Sequence, residues 1–388
     1  MDTRLFTEPS GRLLSVEQEL PLASYVAFIP GLLPPIAENA AIAAVARELG
    51  DANLALGRLM GIGEFFPNPD LLVRPYLRRE AVASSRIEGT QASFSDVVAL
   101  EAGVRPLPGT DAVDVLNYVT ALDRGLRSVA DEDWLSLDAL RSLHRQLMTG
   151  ARGEAFSNPG ELRIIQNHIG TTNDIAAAIY VPPPPEKMHE TLTQLLGYLK
   201  GEKPRTPVLV EAAWMHYQFE AIHPFLDGNG RVGRLLIPIL LAARQELSHP
   251  LLYLSPYFER RKSEYYDLLL AVSTTSAWER WLRFFLLGVA AQATEAVSVA
   301  KEIIALGSLW EERLATDGAS PSARRLARYV LEQVGVTPRG VELGLSVARQ
   351  TAYSAIEVLV GAEILVQIPT VQRGSLYFAP ELVAILDP

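Results

Sequence analysis

Helical periodicity runs through most of this sequence. From about residue 37 to about residue 315, apolar residues recur at steps of three and four, as in "AENAAIAAVARELGDANLALGRL" and "SLDALRSLHRQLM". This spacing collects the apolar side chains on one face of an α-helix, where they can pack into a core. Hydrophobic residues make up 48% of the chain, so the core can be large. The sequence therefore predicts a mostly α-helical fold.

Length and composition limit the class of protein further. A chain of 388 residues favours two or three domains. It has no cysteine, which excludes disulfide scaffolds, thiolate metal sites and thiol nucleophiles. A net charge of −10 argues against a surface that as a whole attracts nucleic acid or acidic lipid. Prolines and Glu38 interrupt the best membrane candidate, "YVAFIPGLLPPIAENAAIAAVA", so we expect a cytoplasmic protein with no membrane partner.

Two segments depart from the helical pattern. Residues 1–35 are rich in proline and weakly periodic, which predicts an arm lying over the folded body. Within residues 161–181, two strand-like runs flank the turn signal "GTTND" and predict a short β-hairpin. The four prolines at 182–185 are predicted to be extended. They form either a rigid connector or the lip of a functional site.

A break in composition at "TDGASPS", residues 316–322, marks the start of a separate module. Three helical segments follow, and then a hairpin that turns at Arg373 and Gly374. This is the order of elements in a winged helix-turn-helix. Six arginines are balanced by six acidic residues in the module, so the basic surface expected of a DNA-binding domain is missing from its sequence. DNA and protein remain equally good candidates for its partner.

Residues 223–234, "HPFLDGNGRVGR", place polar side chains and glycines between two apolar helical segments. Pro224 disfavours helical geometry at His223, so the upstream helix is expected to end there. The next helix starts after "DGNG", and the free N–H groups at a helix N-terminus bind anions. Gly228 and Gly230 allow the backbone to come close to a ligand. The turn is therefore predicted to be an anion-binding site.

Four side chains of this stretch suit the transfer of a phosphoryl or nucleotidyl group. Arg231 and Arg234 are three residues apart on one helical face, so both can reach a polyphosphate. Asp227 is a hard oxygen ligand, suited to a Mg²⁺ ion that bridges phosphates. His223 titrates near neutral pH and can take a proton from a hydroxyl. Phe225 is predicted to anchor the turn in the core rather than to take part.

Other interpretations fit parts of the stretch. "GNGRVG" matches the dinucleotide fingerprint G-x-G-x-x-G, but that motif follows a β-strand, and a helix precedes it here. His216, His223 and Asp227 could together bind a transition metal, but the helix is broken at His223 and the two arginines would repel the ion. A polar turn beside a core histidine explains each residue separately but not all of them together.

The complete string resembles the signature of the Fic family, H-x-F-x-(D/E)-G-N-G-R-x-x-R, and fills every specified position. The resemblance extends over most of residues 1–300, including "PGELRIIQNHIG", "YVPPPPEKM" and "LYLSPYFERRKSEYYDLL". It implies a Fic-type helical core with a short β-hairpin flap that positions the target. It also implies transfer of AMP from ATP to a serine, threonine or tyrosine hydroxyl of a protein, with release of pyrophosphate.

The resemblance further implies a role for each motif residue. His223 would be the general base, and Asp227 would hold Mg²⁺. Residues 228–230 would form the anion hole. Arg231 and Arg234 would bind the β- and γ-phosphates of ATP.

Residues outside the motif are implied as well. The flap residues 169–172 would line the nucleotide, and Tyr265 and Tyr266 would form the adenine pocket. Some relatives carry asparagine seven residues after the second tyrosine, where this chain has Ser273. The implied nucleotide-binding set is Glu88, Ile169, Gly170, Thr171, Thr172, Asp227, Gly228, Asn229, Gly230, Arg231, Val232, Gly233, Arg234, Tyr265, Tyr266 and Ser273.

A second motif, "SSRIEG" at residues 84–89, ends a helix at Gly89. Glu88 then lies at the negative end of the helix dipole, where a carboxylate needs a cation partner. Ser84-x-x-x-Glu88-Gly89 resembles the inhibitory motif of Fic proteins, whose glutamate pairs with the second arginine of the signature, here Arg234. Its place before the core implies an N-terminal inhibitory helix.

The expected organisation is an arm with inhibitory helices at 1–108, a catalytic core at 109–300, a linker helix at 301–319 and a winged helix-turn-helix at 320–388. ATP and Mg²⁺ are the implied substrate and cofactor, a protein hydroxyl is the implied target, and relatives suggest a homodimer. Two other functions stay open. One is removal of AMP from a modified protein, and the other is a transcription regulator whose Fic core senses a nucleotide.

Overall fold

The computed structural model describes residues 1–17, 24–65, 70–104, 111–131, 133–172, 174–201, 206–246, 249–368 and 375–387. Within these residues the chain is mostly helical, as predicted, with five short strands. The predicted turn at Arg373 and Gly374 lies outside the described residues.

Thirteen helices form the body of the described chain. Those before the motif are α1 (Glu38–Ala44), α2 (Ala46–Phe65), α3 (Asp70–Ile87), α4 (Phe94–Glu101), α5 (Ala112–Ser128), α6 (Leu137–Met148), α7 (Glu154–Ser157) and α8 (Pro185–Lys200). The others are α9 (Val208–Ile222), α10 (Asn229–Ala243), α11 (Ser255–Arg260), α12 (Lys262–Thr275) and α13 (Trp278–Thr316). Local signals set some of the starts: the Ser136 side chain caps α6, and Ser93 with Asp96 forms a capping box on α4.

The N-terminal arm contains a β-hairpin that the sequence analysis missed. Strands β1 (Gly11–Val16) and β2 (Tyr25–Pro30) pair antiparallel along their whole length. The apolar run of β2 is continuous rather than alternating, because Phe28 and Ile29 are both buried, and so it lacks the period of two. The Phe28 amide donates to the carbonyl of Val181 at 2.8 Å, which ties the arm to the segment after the flap.

Helices α9 and α10 form the centre of the body and pack against each other. Thirteen of the fifteen residues of α9 are buried, as are twelve of the fifteen in α10. A helix that is apolar on nearly all sides belongs in a core. The motif therefore lies in a turn between two core helices, which fixes its position.

The longest helix, α13, crosses the predicted domain boundary at residue 300 without a break. It packs against α2 and buries Trp281 and Trp310. Among the described helices it is the one long and apolar enough to cross a membrane, with a mean hydropathy of 1.3 over eighteen residues. Because 56% of that window is buried inside the protein, the same composition is explained by its place in the core.

The flap between α7 and α8 pairs through a single antiparallel bridge, Ile169 with Tyr180, rather than through a longer ladder. The pairing cannot continue, because the prolines at 182–185 have no N–H to donate. Instead, the side chains of Arg163 and Gln166 donate to carbonyl oxygens of the proline run, at 2.5 and 3.0 Å. The proline at 185 is the first residue of α8, so the extended stretch is one residue shorter than predicted.

The C-terminal residues form α14 (Pro321–Gln333), β3 (Gly335–Val336), α15 (Pro338–Leu345), α16 (Arg349–Gly361), β4 (Val366–Ile368), β5 (Leu376–Phe378) and α17 (Pro380–Leu386). The strands form an antiparallel sheet in the order β3-β5-β4. Strand β3 and helix α17 were not predicted. Both α14 and α17 pack on α3, and Arg74 of α3 pairs with Glu332 of α14 at 3.1 Å.

Candidate active site

His223 ends α9 in a left-handed backbone conformation, with φ at 51°. Its Nδ1 lies 3.2 Å from the backbone oxygen of Glu220. A carbonyl oxygen can only accept, so Nδ1 carries the proton and Nε2 is left with a lone pair. Burial lowers the pKa of His223 to about 4, which keeps the ring neutral at physiological pH. The side chain is therefore ready to accept a proton at Nε2.

His144 of α6, which was not among the predicted site residues, contacts the turn on the side of Phe225. The Gly160 amide donates to its Nδ1 at 2.8 Å, so the ring proton lies on Nε2, which contacts the Asp227 backbone oxygen at 3.0 Å. The ring stacks on Phe225 at 3.8 Å between centroids. Phe225 is fully buried, which agrees with its predicted role as an anchor.

Gly228 and Asn229 fix the backbone conformation of the turn. Gly228 has φ at 78°, and a β-carbon there would lie 2.8 Å from Met148 Sδ, so glycine is required for both reasons. The Asn229 amide accepts from the Phe225 N–H and donates to the Phe225 carbonyl, each at 2.8 Å. The side chain of Asn229 is thus engaged with the turn, while its backbone N–H starts α10.

Arg234 is buried in α10 and is surrounded by the end of α3. Its Nε donates to Ser84 Oγ and its Nη2 to the Ser84 carbonyl, both at 2.9 Å. The same Nη2 donates to Glu88 Oε1 at 2.7 Å, so the two residues form an ion pair. Nη1 is buried and has no hydrogen-bond partner among the described residues. A β-carbon at Gly230 would clash with the Glu88 carboxylate, so glycine leaves the space in which the pair forms.

The ion pair changes both pKa values. Burial raises the pKa of Glu88, but the charge of Arg234 and its hydrogen bond outweigh burial and hold the pKa below its usual value. Burial lowers the pKa of Arg234, and Glu88 more than reverses that effect. Both side chains are charged at neutral pH. The side chain of Glu88 remains 34% exposed, whereas that of Arg234 is only 1% exposed.

The partners of Arg231 differ from those of Arg234. Its Nη1 pairs with Asp114 of α5 at 3.1 Å, and its Nη2 contacts Met148 Sδ at 3.2 Å. The other Asp114 oxygen accepts from the backbone N–H of Arg152 at 3.0 Å. In this arrangement Arg231 is held by Asp114 and does not line the cavity described next.

A cavity of about 640 Å³ opens above the turn. This volume lies within the usual range for small-molecule sites. Charged and polar side chains line it, among them Glu88, Glu220, His223, Asp227 and Arg234. Aromatic, aliphatic and hydroxyl-bearing side chains also line it, from Tyr180, Tyr217, Tyr266, Leu269, Leu270 and Ser273. This mixed lining suits both the phosphates and the base of a nucleotide.

Of the three residues predicted to bind the base, two line the cavity and one does not. Tyr266 lines the cavity, but Tyr265 is buried beneath it and bonds to His216 Nε2 at 2.8 Å. Ser273 lines the cavity and lies 2.9 Å from the hydroxyl of Tyr217. The prediction of a direct base contact therefore applies to Tyr266 and Ser273, while Tyr265 supports them.

Of the four flap residues predicted to line the nucleotide, two line the cavity. Ile169 and Gly170 line the cavity, whereas Thr171 and Thr172 follow in an exposed turn and are not part of its lining. Val232 is fully buried and faces the core. Gly233 faces Glu220, as described below.

Sequence reasoning missed Tyr217 and Glu220. Both precede His223 on α9 at steps of three residues, which puts all three side chains on one helical face. Counting back from the motif histidine would have found them. His144 and Asp114 gave no such signal, because they reach the motif from distant helices.

Comparison with known proteins identifies the domains. Residues 46–127 match the family described as Fic/DOC family N-terminal, and residues 134–241 match the Fic/DOC family itself. The protein adenylyltransferase fic-1 of Caenorhabditis elegans is 28% identical over 162 residues, which are 40% of this chain and 30% of that protein. A probable protein adenylyltransferase of Aquifex aeolicus is 40% identical over 67 residues, 17% of this chain and 21% of that one. The chain spans about a third or less of the length of these relatives.

Solved structures show a similar fold. A Fic family protein from Desulfovibrio desulfuricans superposes with a TM-score of 0.53 at 21% identity, over 87% of this chain and 95% of that one. Fic-1 of Caenorhabditis elegans superposes with a TM-score of 0.51 at 22% identity, over 69% of this chain and 77% of that one. This chain therefore carries two Fic/DOC family domains, at residues 46–127 and 134–241.

Proposed function

We propose that this protein transfers AMP from ATP to a serine, threonine or tyrosine hydroxyl of another protein. The observation that carries the proposal is the cavity, whose lining combines apolar and hydroxyl-bearing side chains with Arg234 and with His223, whose Nδ1 carries the ring proton. A nucleoside triphosphate needs these groups together, for its base, its phosphates and its reacting phosphorus. Similarity to proteins named adenylyltransferase supports the same activity.

The reaction follows from the placement of His223. The target oxygen forms a bond to the α-phosphorus of ATP, and the bond from that phosphorus to the β-bridging oxygen breaks. The hydroxyl proton passes to Nε2 of His223, and pyrophosphate leaves with the electron pair of the broken bond. Because Nδ1 donates a hydrogen bond to the Glu220 carbonyl, the ring is oriented to accept the hydroxyl proton at Nε2.

Asp227 fits the predicted Mg²⁺ ion. It is the one exposed carboxylate of the turn, and its Oδ1 accepts from Gly228 N–H at 2.6 Å. The part of the chain that the structure describes holds no group of three or more metal-ligating side chains. An ion held by one carboxylate and by substrate phosphates fits this donor set, since Mg²⁺ is commonly bound in that way. Such an ion would neutralise charge on the phosphates.

Glu88 is proposed to inhibit this activity. While Glu88 holds Nη2 of Arg234, the γ-phosphate lacks that donor and meets a carboxylate in its place. ATP then binds without the alignment that His223 needs. Charge-assisted hydrogen bonds of this kind are stronger than neutral ones. Each 1.4 kcal/mol of the pair's stability corresponds to about a tenfold change in the population of the inhibited state.

The test is labelling of proteins by α-³²P-ATP. We expect Glu88→Gly to raise labelling, including self-modification, by roughly tenfold or more. In that background His223→Ala should lower labelling by about 10²- to 10⁴-fold while ATP still binds. His189→Ala, at an exposed position on α8, is the matched control and should change nothing. Unchanged labelling by a folded His223→Ala protein would rule out the mechanism.

Removal of AMP from a modified protein is the second candidate, favoured by one observation. The Glu88 carboxylate is partly exposed and lines the same cavity as His223, where it could orient a water molecule. A purified AMP-modified target distinguishes the two. If wild type releases AMP and Glu88→Gly does not, Glu88 takes part in removal rather than inhibition.

The C-terminal module is proposed to be a winged helix-turn-helix that recruits a protein or binds DNA. Helices α15 and α16 are joined by three residues, which is the length of the turn in that motif. If the full chain bound duplex DNA with a steep salt dependence, a transcription regulator would be favoured over a protein that recruits a target.

A homodimer is a further proposal, and light scattering of the full chain would test it.

A further inference from the structure

Glu220 is a carboxyl group of the cavity with no role so far. It lies on the last turn of α9, three residues after Tyr217 and three before His223, and lines the cavity with both. Its Oε1 is buried and has no hydrogen-bond partner among the described residues. A buried polar atom without a partner is costly, so the carboxyl group of Glu220 has hydrogen-bonding capacity that a ligand of the cavity can use.

The neighbouring helix is shaped around this carboxyl. A β-carbon on Gly233 of α10 would lie 2.5 Å from Glu220 Oε1, so only glycine leaves room for it. Gly233 directly precedes Arg234, and Gly230, one turn earlier, makes the equivalent space for Glu88. The two glycines thus leave space for two carboxyl groups, Glu88 and Glu220, on the same side of α10, and both groups line the cavity.

Within the described residues, the charged and titratable side chains that interact with Glu220 are Arg234 from α10, Glu88 from the end of α3, and Tyr265 and Tyr266 from α12. On α9 itself, His216 and His223 lie about one helical turn before and after Glu220. Arg234 is paired with Glu88 and forms no ion pair with Glu220 within the described residues. Burial raises the pKa of Glu220 to about 8, with Arg234 opposing the shift and Glu88 adding to it.

The proposed function puts a polyphosphate at Arg234, with which Glu220 interacts. An ionised carboxyl would repel it, whereas a neutral carboxylic acid has a proton to donate. We propose that Glu220 is a nucleotide-binding residue, which as a neutral acid donates a hydrogen bond to a phosphate oxygen of the bound nucleotide. The proposal rests on the proposed function, because it requires that the cavity bind a nucleoside triphosphate.

A pH dependence of ATP binding follows. As the pH rises through about 8, Glu220 ionises and loses the donated proton, so ATP should bind more weakly at high pH. The limiting slope is about tenfold in Kd for each pH unit. The other facing groups do not titrate in this window, because the pKa values of His216 and His223 are about 3 and 4 and those of both tyrosines are raised.

The experiment measures the Kd of ATP by calorimetry from pH 7.5 to 9.5 at saturating Mg²⁺. The parent protein is the wild type, because Glu88 contributes to the raised pKa of Glu220, and it is compared with Glu220→Gln and Glu220→Ala. The parent should lose affinity above pH 8. The glutamine variant, whose amide donates at every pH, should bind as the parent does at pH 7.5 and show no pH dependence. The alanine variant should bind about two- to tenfold more weakly than the parent does at pH 7.5, the usual effect of one lost hydrogen bond, and should also show no pH dependence.

Adenosine, which has no phosphate, is the second probe and should bind with no dependence on residue 220 or on pH. A Kd for ATP that does not change with pH in the parent overturns the proposal, and so does an unchanged slope in the glutamine variant. Adenosine binding with the same slope overturns the phosphate contact. If ATP binds none of the variants at any pH, the proposed function fails with it. If the glutamine variant does not fold, the change of the ATP Kd with pH in the parent protein still tests the proposal.

Discussion

His144 shows how one residue holds the motif turn in place. It accepts from Gly160, contacts the Asp227 carbonyl and stacks on Phe225, and the first of these contacts needs the neutral ring. Protonation at Nδ1 would remove the acceptor for the Gly160 N–H. Burial accordingly lowers the pKa of His144 to about 4.

This shift predicts a loss of stability in acid. The unfolded chain has a histidine pKa near 6.5, so between about pH 6.5 and pH 4 it binds protons that the folded chain does not. The stabilisation is complete above pH 6.5 and declines by up to about 1.4 kcal/mol for each pH unit below it. Urea unfolding at pH 6.5 and 5.0 should show a smaller decline for His144→Ala than for wild type. His189→Ala should keep the decline of wild type, and equal slopes for all three proteins would contradict the prediction.

At the scale of elements, the contact between α5 and α10 fixes the distance between Asp114 and Arg231. Gly125 of α5 is the point of closest approach, because a β-carbon there would overlap the side chain of Ile239 and lie 3.3 Å from Leu143. Both neighbours are buried in the core and cannot move outward. The glycine is therefore required for packing even though it weakens the helix.

We expect Gly125→Ala to destabilise the protein by about 1–3 kcal/mol, the usual effect of an overpacked core. Gly197→Ala is the matched control, since it is also inside a helix but has no atom within 4 Å of the new β-carbon. It should stabilise the protein by up to about 1 kcal/mol through helix propensity. Denaturant unfolding of the two variants measures both effects. Equal changes of the same sign would show that propensity, not packing, governs Gly125.

At the scale of the whole molecule, the C-terminal module shares its core with the body. Buried residues of α14 and α17, such as Leu326 and Leu382, belong to the same apolar cluster as Leu72 of α3 and Trp310 of α13. Glu381 of α17 also accepts from Trp310 Nε1 at 2.7 Å and pairs with an arginine of α13. Helix α3, which leads to Glu88, is thus packed between the module and the catalytic core.

A shared core predicts a single cooperative unfolding transition for the full chain. Glu381→Gln removes one charge from the bonds to α13, and we expect a loss of about 1 kcal/mol and a lower midpoint for the whole transition. Glu357→Gln, at an exposed position on α16, is the control and should leave the midpoint unchanged. Calorimetry would contradict the prediction if it resolved two transitions and only one of them moved.

The sequence by itself determined the helical fold, the break at His223 and the residues of the two motifs, because these depend on the spacing of neighbouring residues and on Pro224. It did not reveal the N-terminal hairpin, whose buried strand β2 lacks alternation, or the short flap, where side chains replace a ladder. The resemblance already implied that Glu88 pairs with Arg234, which it does across 146 residues. Only the tertiary structure decided the partner of Arg231, which Asp114 holds across 117 residues. Such partners depend on how whole helices pack, and so do the burial and the pKa of Glu220, which no local pattern records.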